Sequence, residues 1–271
     1  MKIMIAGLGL IGGSMAKALN VAGYEVDGFD KENVLNYALN NKIIKGVATD
    51  FAQYDVVFIA LPPESTIDFI QTNTFKNGAI VSDICGVKGV IEQAVYSKNR
   101  NFRYVGCHPM AGKAVSGIEN SDESLFKNAS MIIVENEKTD DCAVCTIKKL
   151  SLAMGFTTLI KCDSEYHDGK IAYTSQLAHI VSNAYVKSET ADGYRGYTGG
   201  SFQDMTRIAG VDEKLWTKLF MLNREKVTAE LSRLISNLQK YEKALKEGKE
   251  ISLQELLKEG RERKKQLDLQ E

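Results

Sequence analysis

His108 is the residue whose type and setting first suggest chemistry. It lies between Cys107 and Pro109 at the end of a short apolar run. A neutral imidazole takes up and releases a proton near pH 7, which suits a general base. Pro109 favours an extended backbone at His108 and so helps to fix the direction of its side chain. A histidine beside an apolar strand is often simply packed, so a catalytic and a structural interpretation both stay open.

A second group of polar residues has helical spacing in the later half of the chain. Gln176, His179 and Asn183 share one helix face among apolar neighbours. If buried, they must pair with each other, with water or with a ligand, and a solvated stripe is the alternative. Further on, Asp204 is a candidate N-cap and predicts a short helix with Arg207 near its start, where the helix dipole disfavours a cation. Such an arginine is better explained by a bound carboxylate.

A glycine-rich turn near the start of the chain has the spacing of a dinucleotide site. It lies between a predicted strand and a predicted helix and consists of Gly7, Leu8, Gly9, Leu10, Ile11 and Gly12. Its glycines permit a tight turn and close approach of a pyrophosphate, and the helix N-terminus supplies N–H donors. Asp30 ends the second predicted strand, where an acidic residue binds the ribose hydroxyls of NAD. The pattern predicts NAD as the cofactor, although Lys31 leaves NADP open.

The elements that must position these residues change in kind along the 271 residues. Short apolar strands alternate with helices in the first part, which is typical of parallel strands buried on both faces. This predicts an N-terminal Rossmann-type, doubly wound α/β sheet over residues 1–162. From Ser164 onward the spacing is helical, over 164–191, 212–222, 225–246 and 252–266. We therefore expect an all-helical C-terminal domain over residues 163–271.

The predicted strand ends bring unusual residues to one edge of the sheet. Pro62 and Pro63 follow one strand, the segment 82–88 follows the next, and a strand over 104–106 leads to His108. In an open α/β sheet, ligands bind beyond the carboxyl ends of the strands. This position favours a catalytic role for His108 over a packed one.

Composition argues against several classes of function. The 34 basic and 35 acidic residues give a net charge of −1, so nucleic-acid binding is not expected. No stretch has the ~20 uninterrupted apolar residues of a membrane span, and the apolar N-terminus is better explained by the glycine turn than by a secretory signal. The 5 cysteines fit reduced thiols in a cytoplasmic protein. We expect the lone pair Cys142 and Cys145 on a buried helical face, with no metal site.

The motifs together resemble the prephenate dehydrogenase family, the tyrosine-pathway enzymes that include arogenate and cyclohexadienyl dehydrogenases. The resemblance covers nearly the whole chain and rests on GLGLIGGS at 7–14, SDICGVK at 82–88, GCHPMAG at 106–112, LF at 125–126, EYHD at 165–168, SQLAH at 175–179 and GGSFQDMTRIA at 199–209. It implies NAD-dependent oxidative decarboxylation of prephenate to 4-hydroxyphenylpyruvate, with release of CO₂ and NADH. Arogenate dehydrogenation to tyrosine and a catalytically weakened NAD-binding regulatory protein are the alternatives.

The resemblance also implies roles for individual residues. His108 matches the family's base, and Arg207 matches its carboxylate-binding arginine. His179 matches a second histidine on the substrate side, Gln176 lies one turn earlier on the same face, and Ser82 is a further candidate near the substrate. A homodimer through the C-terminal helical domain is implied as well.

Two more residues that match the family form a neighbouring pair. His167 and Asp168 are adjacent in the EYHD segment, and their proximity favours a structural pairing over a direct catalytic role. Other two-domain hydride-transfer enzymes, such as β-hydroxyacid dehydrogenases, are disfavoured by the HPMAG and TRIA elements.

Two positions depart from the family pattern. Relatives often have a serine, hydrogen-bonded to the catalytic histidine, where this chain has Gly86. The orientation of His108 must then come from another group, with Ser82 or a backbone carbonyl as candidates. Ala114 follows Lys113 where relatives often carry an acid, which weakens any expectation of an ion-pair network at the pocket entrance.

Overall fold

A computed structural model of the protein describes residues 1–113 and 115–269. Its first sheet is parallel and has the strand order β2-β1-β3-β4-β5. The strands are β1 (Ile3–Ala6), β2 (Val26–Phe29), β3 (Val56–Ile59), β4 (Ile80–Asp83) and β5 (Arg103–Tyr104). Chain progression reverses at β1, so the topological switch point lies between the carboxyl ends of β1 and β3. The glycine turn directly follows β1 at this point.

The parallel sheet is buried on both faces, as its continuous apolar strands predict. Along β1, Ile3 and Ile5 belong to one core cluster, whereas Met4 and Ala6 belong to another on the opposite face. Four helices connect the strands: α1 (Leu10–Val21), α2 (Glu32–Asn40), α3 (Pro63–Thr72) and α4 (Gly89–Tyr96). The doubly wound α/β sheet predicted from the sequence is confirmed.

A second, three-stranded sheet follows, and the sequence patterns do not predict it. Its strands are β6 (Gly106–Pro109), β7 (Ser130–Val134) and β8 (Thr158–Cys162), with α5 (Asp141–Ala153) between the last two. β6 pairs antiparallel with β7, which places His108 opposite Ile132. The single strand expected over 104–106 is wrong, because pairing with β4 ends at Tyr104 and the chain then enters the second sheet at Gly106. His108 therefore lies within a strand of the smaller sheet.

The expectation of a buried CxxC pair is also wrong. Cys142 and Cys145 are both exposed on α5. The buried face of this helix is formed instead by Ala143, Val144 and Ile147, so the two thiols lie off the apolar stripe of α5.

The rest of the described chain is helical, as predicted. It comprises α6 (Ser164–Ile171), a π-helical stretch (Ala172–Gln176), α7 (Leu177–Tyr185), α8 (Gly200–Thr206), α9 (Glu213–Leu222), α10 (Arg224–Lys246) and α11 (Glu250–Asp268). The continuous helix expected over 164–191 is instead divided by the π-helical stretch, and α7 ends at Tyr185. Within the described residues, none of the helices combines the length and apolarity needed to cross a bilayer.

The chain forms two compact units. One contains Met1–Ile171 and Glu213–Leu222, and the other contains Ala172–Asp212 and Asn223–Glu271. In the second unit, α10 and α11 are joined by a hydrogen bond in which Tyr241 Oη donates to the carbonyl of Leu256 over 3.2 Å. The domain boundary expected after Cys162 falls between β8 and α6 and stays a prediction.

Candidate active site

The glycine turn after β1 has the backbone geometry that a dinucleotide cradle requires. Gly7 has a φ of +90°, and a β-carbon there would overlap the carbonyl oxygen of Ala60 at the end of β3. A β-carbon on Gly12 would overlap the carbonyl oxygen of Gly7. At Gly9, by contrast, a β-carbon would meet no described atom within 4 Å. The first and third glycines are therefore needed by the fold, whereas the second leaves open space beside the turn.

The N-terminus of α1 presents backbone donors to that space. Gly9 is the N-cap residue and has no side chain to accept from the first-turn N–H groups. Leu10 and Ile11 begin the helix, so their N–H groups belong to this set of donors. Donors of this kind, together with the helix dipole, bind phosphate oxygens. The turn fits a dinucleotide pyrophosphate.

Asp30 ties the end of β2 to the glycine turn. Its Oδ2 accepts a 2.6 Å hydrogen bond from the N–H of Leu8, and its Oδ1 accepts from the N–H of Lys31 at 2.7 Å. The carboxylate is thus fixed beside the turn, where a bound dinucleotide would present its adenosine ribose. The side chains present fit NAD.

His108 is the first member of a hydrogen-bonded chain of three side chains. Its Nδ1 lies 2.9 Å from Nε2 of His167, and Nδ1 of His167 lies 2.7 Å from Oδ1 of Asp168. The two imidazole rings meet edge to face, with centroids 5.1 Å apart. His167 and Asp168 lie on α6, which this bond joins to β6. The pair that the sequence indicated therefore exists, and it also binds His108.

Asp168 is in turn held by the N-terminus of α4. Its Oδ1 accepts from the N–H of Lys88 and its Oδ2 from the N–H of Gly89, both at 2.8 Å. Burial by itself would raise the pKa of Asp168, but the hydrogen bonds from His167, Gly89 and Lys88 hold it below its ordinary value. The carboxylate is therefore ionised at neutral pH.

The surroundings of His108 keep its imidazole neutral. Burial is the main cause that lowers its pKa well below 6.5, and the positive charge on His167 when protonated and on Lys88 lowers it further. His108 still keeps part of its surface exposed, whereas His167 is only 1% exposed. An accessible, neutral imidazole can accept a proton from a bound molecule.

A buried ion pair anchors the backbone next to His108. Lys88 and Asp83 are both fully buried, and Lys88 Nζ lies 2.5 Å from Asp83 Oδ1 and 2.5 Å from the carbonyl oxygen of Cys107. Tyr104 Oη donates to the other carboxylate oxygen of Asp83 at 2.5 Å. Burial, followed by the charge of Asp83, raises the pKa of Tyr104 well above 10, so this phenol stays a donor. β4, β5 and β6 are thereby joined behind the imidazole.

The structure corrects the expectation about Ser82 and refines that about Gly86. Ser82 is fully buried in β4, and the group bonded to Nδ1 of His108 is His167 rather than Ser82 or a backbone carbonyl. The expected substrate contact of Ser82 stays a prediction. A β-carbon on Gly86 would lie 3.6 Å from Nε2 of His108, an ordinary contact. Ala114, the other departure from the family pattern, lies outside the described residues.

In the second unit, the polar face predicted from the sequence binds neighbouring backbone and side chains. Asn223 Nδ2 donates to Gln176 Oε1 over 2.6 Å, and Gln176 is 2% exposed. His179 Nδ1 donates to the carbonyl of Ile208 over 3.0 Å, and Asn183 Nδ2 donates to the carbonyl of Ala209 over 3.1 Å. The solvated stripe is therefore not observed. These bonds fix the segment that directly follows Arg207.

The predicted position of Arg207 is wrong. Helix α8 starts at Gly200, Asp204 lies inside it, and Arg207 is its C-cap residue. The glycines at 199 and 200 start the helix earlier than an Asp204 cap would, so the cation lies at the end that the dipole favours. The helix dipole therefore gives no reason to infer a carboxylate ligand. Arg207 is nevertheless exposed, and it forms no ion pair with another of the described residues.

Sequence comparison identifies the family. The prephenate dehydrogenase nucleotide-binding domain matches residues 15–158, and the prephenate dehydrogenase dimerization domain matches residues 163–259. The chain belongs to the prephenate dehydrogenase family. Prephenate dehydrogenase of Bacillus subtilis is 30% identical over 254 residues, which are 88% of this chain and 68% of the relative. Cyclohexadienyl dehydrogenase of Zymomonas mobilis is 25% identical over 90% of this chain and 88% of its own.

A solved structure of the family has the same fold. Prephenate dehydrogenase from Aquifex aeolicus, in complex with hydroxyphenyl propionate and NAD+, is 27% identical to this chain. The match has a TM-score of 0.85 and covers 98% of each chain. This chain is thus a dehydrogenase with a Rossmann-like nucleotide-binding domain, and its later half matches the family's dimerization domain.

The sequence patterns did not predict the buried network of this dehydrogenase, which consists of Asp83, Lys88 and Tyr104. A signal was present, since Asp83 comes at the end of an apolar run and Lys88 is the next charged residue along the chain. Buried opposite charges are retained mainly when they pair. The link between His167 and His108 had no such signal, because 59 positions separate the two residues.

Proposed function

We propose that this protein catalyses the oxidative decarboxylation of prephenate to 4-hydroxyphenylpyruvate, using NAD. The observation that supports this most directly is a neutral, partly exposed His108, hydrogen-bonded to a buried His167, in a member of the prephenate dehydrogenase family. Bound at the glycine turn, NAD supplies the hydride acceptor. The fixed carboxylate of Asp30 favours NAD over NADP, because it repels a 2′-phosphate.

In this mechanism His108 handles the substrate's hydroxyl proton. The ring carbon that carries the hydroxyl loses hydride, and His108 accepts the hydroxyl proton so that a carbonyl can form. The ring carboxylate then leaves as CO₂, and its bonding electrons complete an aromatic ring with a phenolate oxygen. The imidazolium of His108 returns the proton to that oxygen. The imidazole is therefore neutral again after each turnover.

Residues of the second unit are proposed to bind the substrate. The exposed guanidinium of Arg207 suits a carboxylate of prephenate, because it can donate two parallel hydrogen bonds. His179 is held by the carbonyl of Ile208 and is proposed as a polar contact to substrate. The expected substrate contact of Gln176, which is nearly buried and bonded to Asn223, stays a prediction. We also propose that the protein is a homodimer through its C-terminal helices.

A coupled assay tests the proposed reaction. Purified protein is mixed with NAD and either prephenate or arogenate, and NADH absorbance is followed while CO₂ release is measured. We expect turnover with prephenate and a higher kcat/KM for prephenate than for arogenate. A higher value for arogenate would assign the alternative reaction, and no turnover with either substrate would overturn the enzymatic proposal.

A variant of the base separates an enzyme from a regulatory protein. His108→Asn should lower kcat by ~10²–10⁴-fold while the affinity for NAD, measured by calorimetry, stays nearly unchanged. Glycine at position 86 is what favours the regulatory alternative. Because His167 supplies a partner for His108, that reason is weakened. Equal activity of the variant and the natural protein would reject the base role.

A further inference from the structure

The two ring nitrogens of His108 have different surroundings. Nδ1 faces the fully buried side chain of His167, whereas Nε2 is the ring nitrogen nearest Gly86. Gly86 brings no side chain to that nitrogen, and a β-carbon there would approach only to 3.6 Å. The ring is thus held through Nδ1, and Nε2 faces a position without a side chain.

The proton on each imidazole follows from the carboxylate at the end of the chain of hydrogen bonds. An ionised carboxylate only accepts hydrogen bonds, so Nδ1 of His167 must donate to Asp168. In a neutral imidazole the other nitrogen is an acceptor, so Nε2 of His167 accepts. Nδ1 of His108 must then be the donor in the 2.9 Å contact. This leaves the lone pair of His108 on Nε2.

We propose that His167 and Asp168 are positioning residues that hold His108 in the Nδ1–H tautomer and make Nε2 the atom that takes the hydroxyl proton. This deepens the proposed function and rests on it. When Nε2 accepts the proton, His108 carries a proton on each nitrogen, and its positive charge faces His167 and, through it, the carboxylate of Asp168. The N-terminus of α4 keeps that carboxylate ionised by donating two backbone hydrogen bonds.

Acid is expected to reverse the hydrogen bond between His108 and His167. A proton added to His167 would place a donor on its Nε2, force Nδ1 of His108 to accept, and move the proton of His108 to Nε2. Because the two imidazoles share a hydrogen bond, acid that protonates His108 or reverses this bond removes the lone pair on Nε2 of His108, so activity should fall on the acid side. Among the described residues, Asp168 on α6 bonds His167, and Lys88 beside α4 acts on His108 through its charge. Asp83 on β4 and the carbonyl of Cys107 on β6 bond Lys88, and Tyr104 on β5 bonds Asp83.

Nuclear magnetic resonance tests the tautomers without any need for activity. The protein has 3 histidines, so ¹⁵N-histidine labelling gives few signals. The signals that disappear in a His179→Gln variant belong to His179, and those that stay belong to His108 and His167. We expect a directly bonded proton on Nδ1 of His108 and of His167. We also expect a ¹⁵N–¹⁵N coupling across the hydrogen bond between His108 Nδ1 and His167 Nε2. A proton on Nε2 of His167, or on Nε2 of His108, at neutral pH would overturn the proposal.

Kinetics test whether the arrangement matters for the reaction. Asp168→Asn removes the negative charge that stabilises the protonated pair, so we expect kcat to fall ~10²-fold and the acid limb to move about one unit lower. His167→Gln still offers an amide oxygen to Nδ1 of His108, whereas His167→Leu offers none. We therefore expect the Gln variant to keep at least about tenfold more kcat than the Leu variant.

A matched control and a folding measurement separate positioning from structure. Tyr166→Phe changes an exposed neighbour on α6 that takes no part in the chain of hydrogen bonds, and it should leave kcat and the acid limb unchanged. Variants that lose thermal stability while the acid limb stays in place would contradict a positioning role. If neither prephenate nor arogenate is turned over, the proposed function fails, and the tautomer measurement still decides the arrangement of protons.

Discussion

At the scale of single residues, His108 combines two properties that usually exclude each other. It is buried enough for its pKa to fall well below 6.5, yet part of its surface stays accessible. An exposed imidazole would be partly protonated at pH 6.5, and a fully buried one could not meet a substrate. The hydrogen bond to His167 allows both properties, because it holds the ring through Nδ1, on its buried side.

The lowered pKa of His108 predicts a pH-dependent stability. The unfolded chain binds a proton at this residue below pH 6.5, but the native protein does so only at a much lower pH. Stability should therefore fall as the pH drops below 6.5, by up to ~1.4 kcal/mol per pH unit from this residue. Urea unfolding of the natural protein and of His108→Gln, from pH 7.5 to about pH 5, measures it. Equal slopes for both proteins would show that the burial of His108 does not cause the loss of stability in acid.

At the scale of elements, the glycine turn was predictable in full and the second sheet was not. Strand β1, the glycines and Asp30 lie within 30 residues, and the backbone of the turn itself requires glycine at Gly7 and Gly12. β6 pairs with β7, which in turn pairs with β8, and both strands are remote from β6 in sequence. Short-range patterns therefore do not show that the chain leaves the first sheet after Tyr104. The position of Arg207 in its helix was predicted wrongly, because the N-cap of α8 is Gly199 and not Asp204.

The glycine turn predicts different effects on thermal stability for two similar substitutions. Gly9→Ala adds a β-carbon where no described atom lies within 4 Å, so the melting temperature should change little. The same methyl group would occupy the space of a pyrophosphate, so NAD should bind at least about tenfold more weakly. Gly12→Ala would overlap the carbonyl of Gly7 and should lower both thermal stability and NAD affinity. Calorimetric NAD titration and thermal unfolding check this, and unchanged NAD affinity in Gly9→Ala would contradict it.

The ion pair behind β6 predicts a large cost for removing one partner. Lys88→Met leaves the buried carboxylate of Asp83 without its cation, which should destabilise the protein by about 3–5 kcal/mol. Lys76→Met is the matched control, because it breaks an exposed ion pair with Asp55 and should cost under about 1 kcal/mol. Urea unfolding measures both values. Similar losses of unfolding free energy in the two variants would show that the buried pair stabilises the protein no more than the exposed pair does.

At the scale of the whole molecule, the second unit exposes many apolar side chains. Leu238 and Leu245 on α10 are 57% and 65% exposed, and Ile251 and Leu257 on α11 are 74% and 59% exposed. Apolar residues grouped on the same helices favour an association surface over random exposure. The match of residues 163–259 to a dimerization domain supports the proposal that a second copy of the same chain covers this surface.

The proposed homodimer is tested by charge placed on these helices. Leu238→Glu and Leu257→Glu would bury a carboxylate without a partner if the helices pack against a second copy, so the dimer should dissociate. Light scattering at micromolar concentration should give about 60 kDa for the natural protein, twice the mass of the 30.0 kDa chain. Each of the two variants should give about 30 kDa. Leu152→Glu is the control, because it alters a 56% exposed leucine on α5 of the first unit and should stay dimeric. A natural protein that is monomeric under these conditions would refute the proposal, and dissociation by Leu152→Glu alone would move the interface to the first unit.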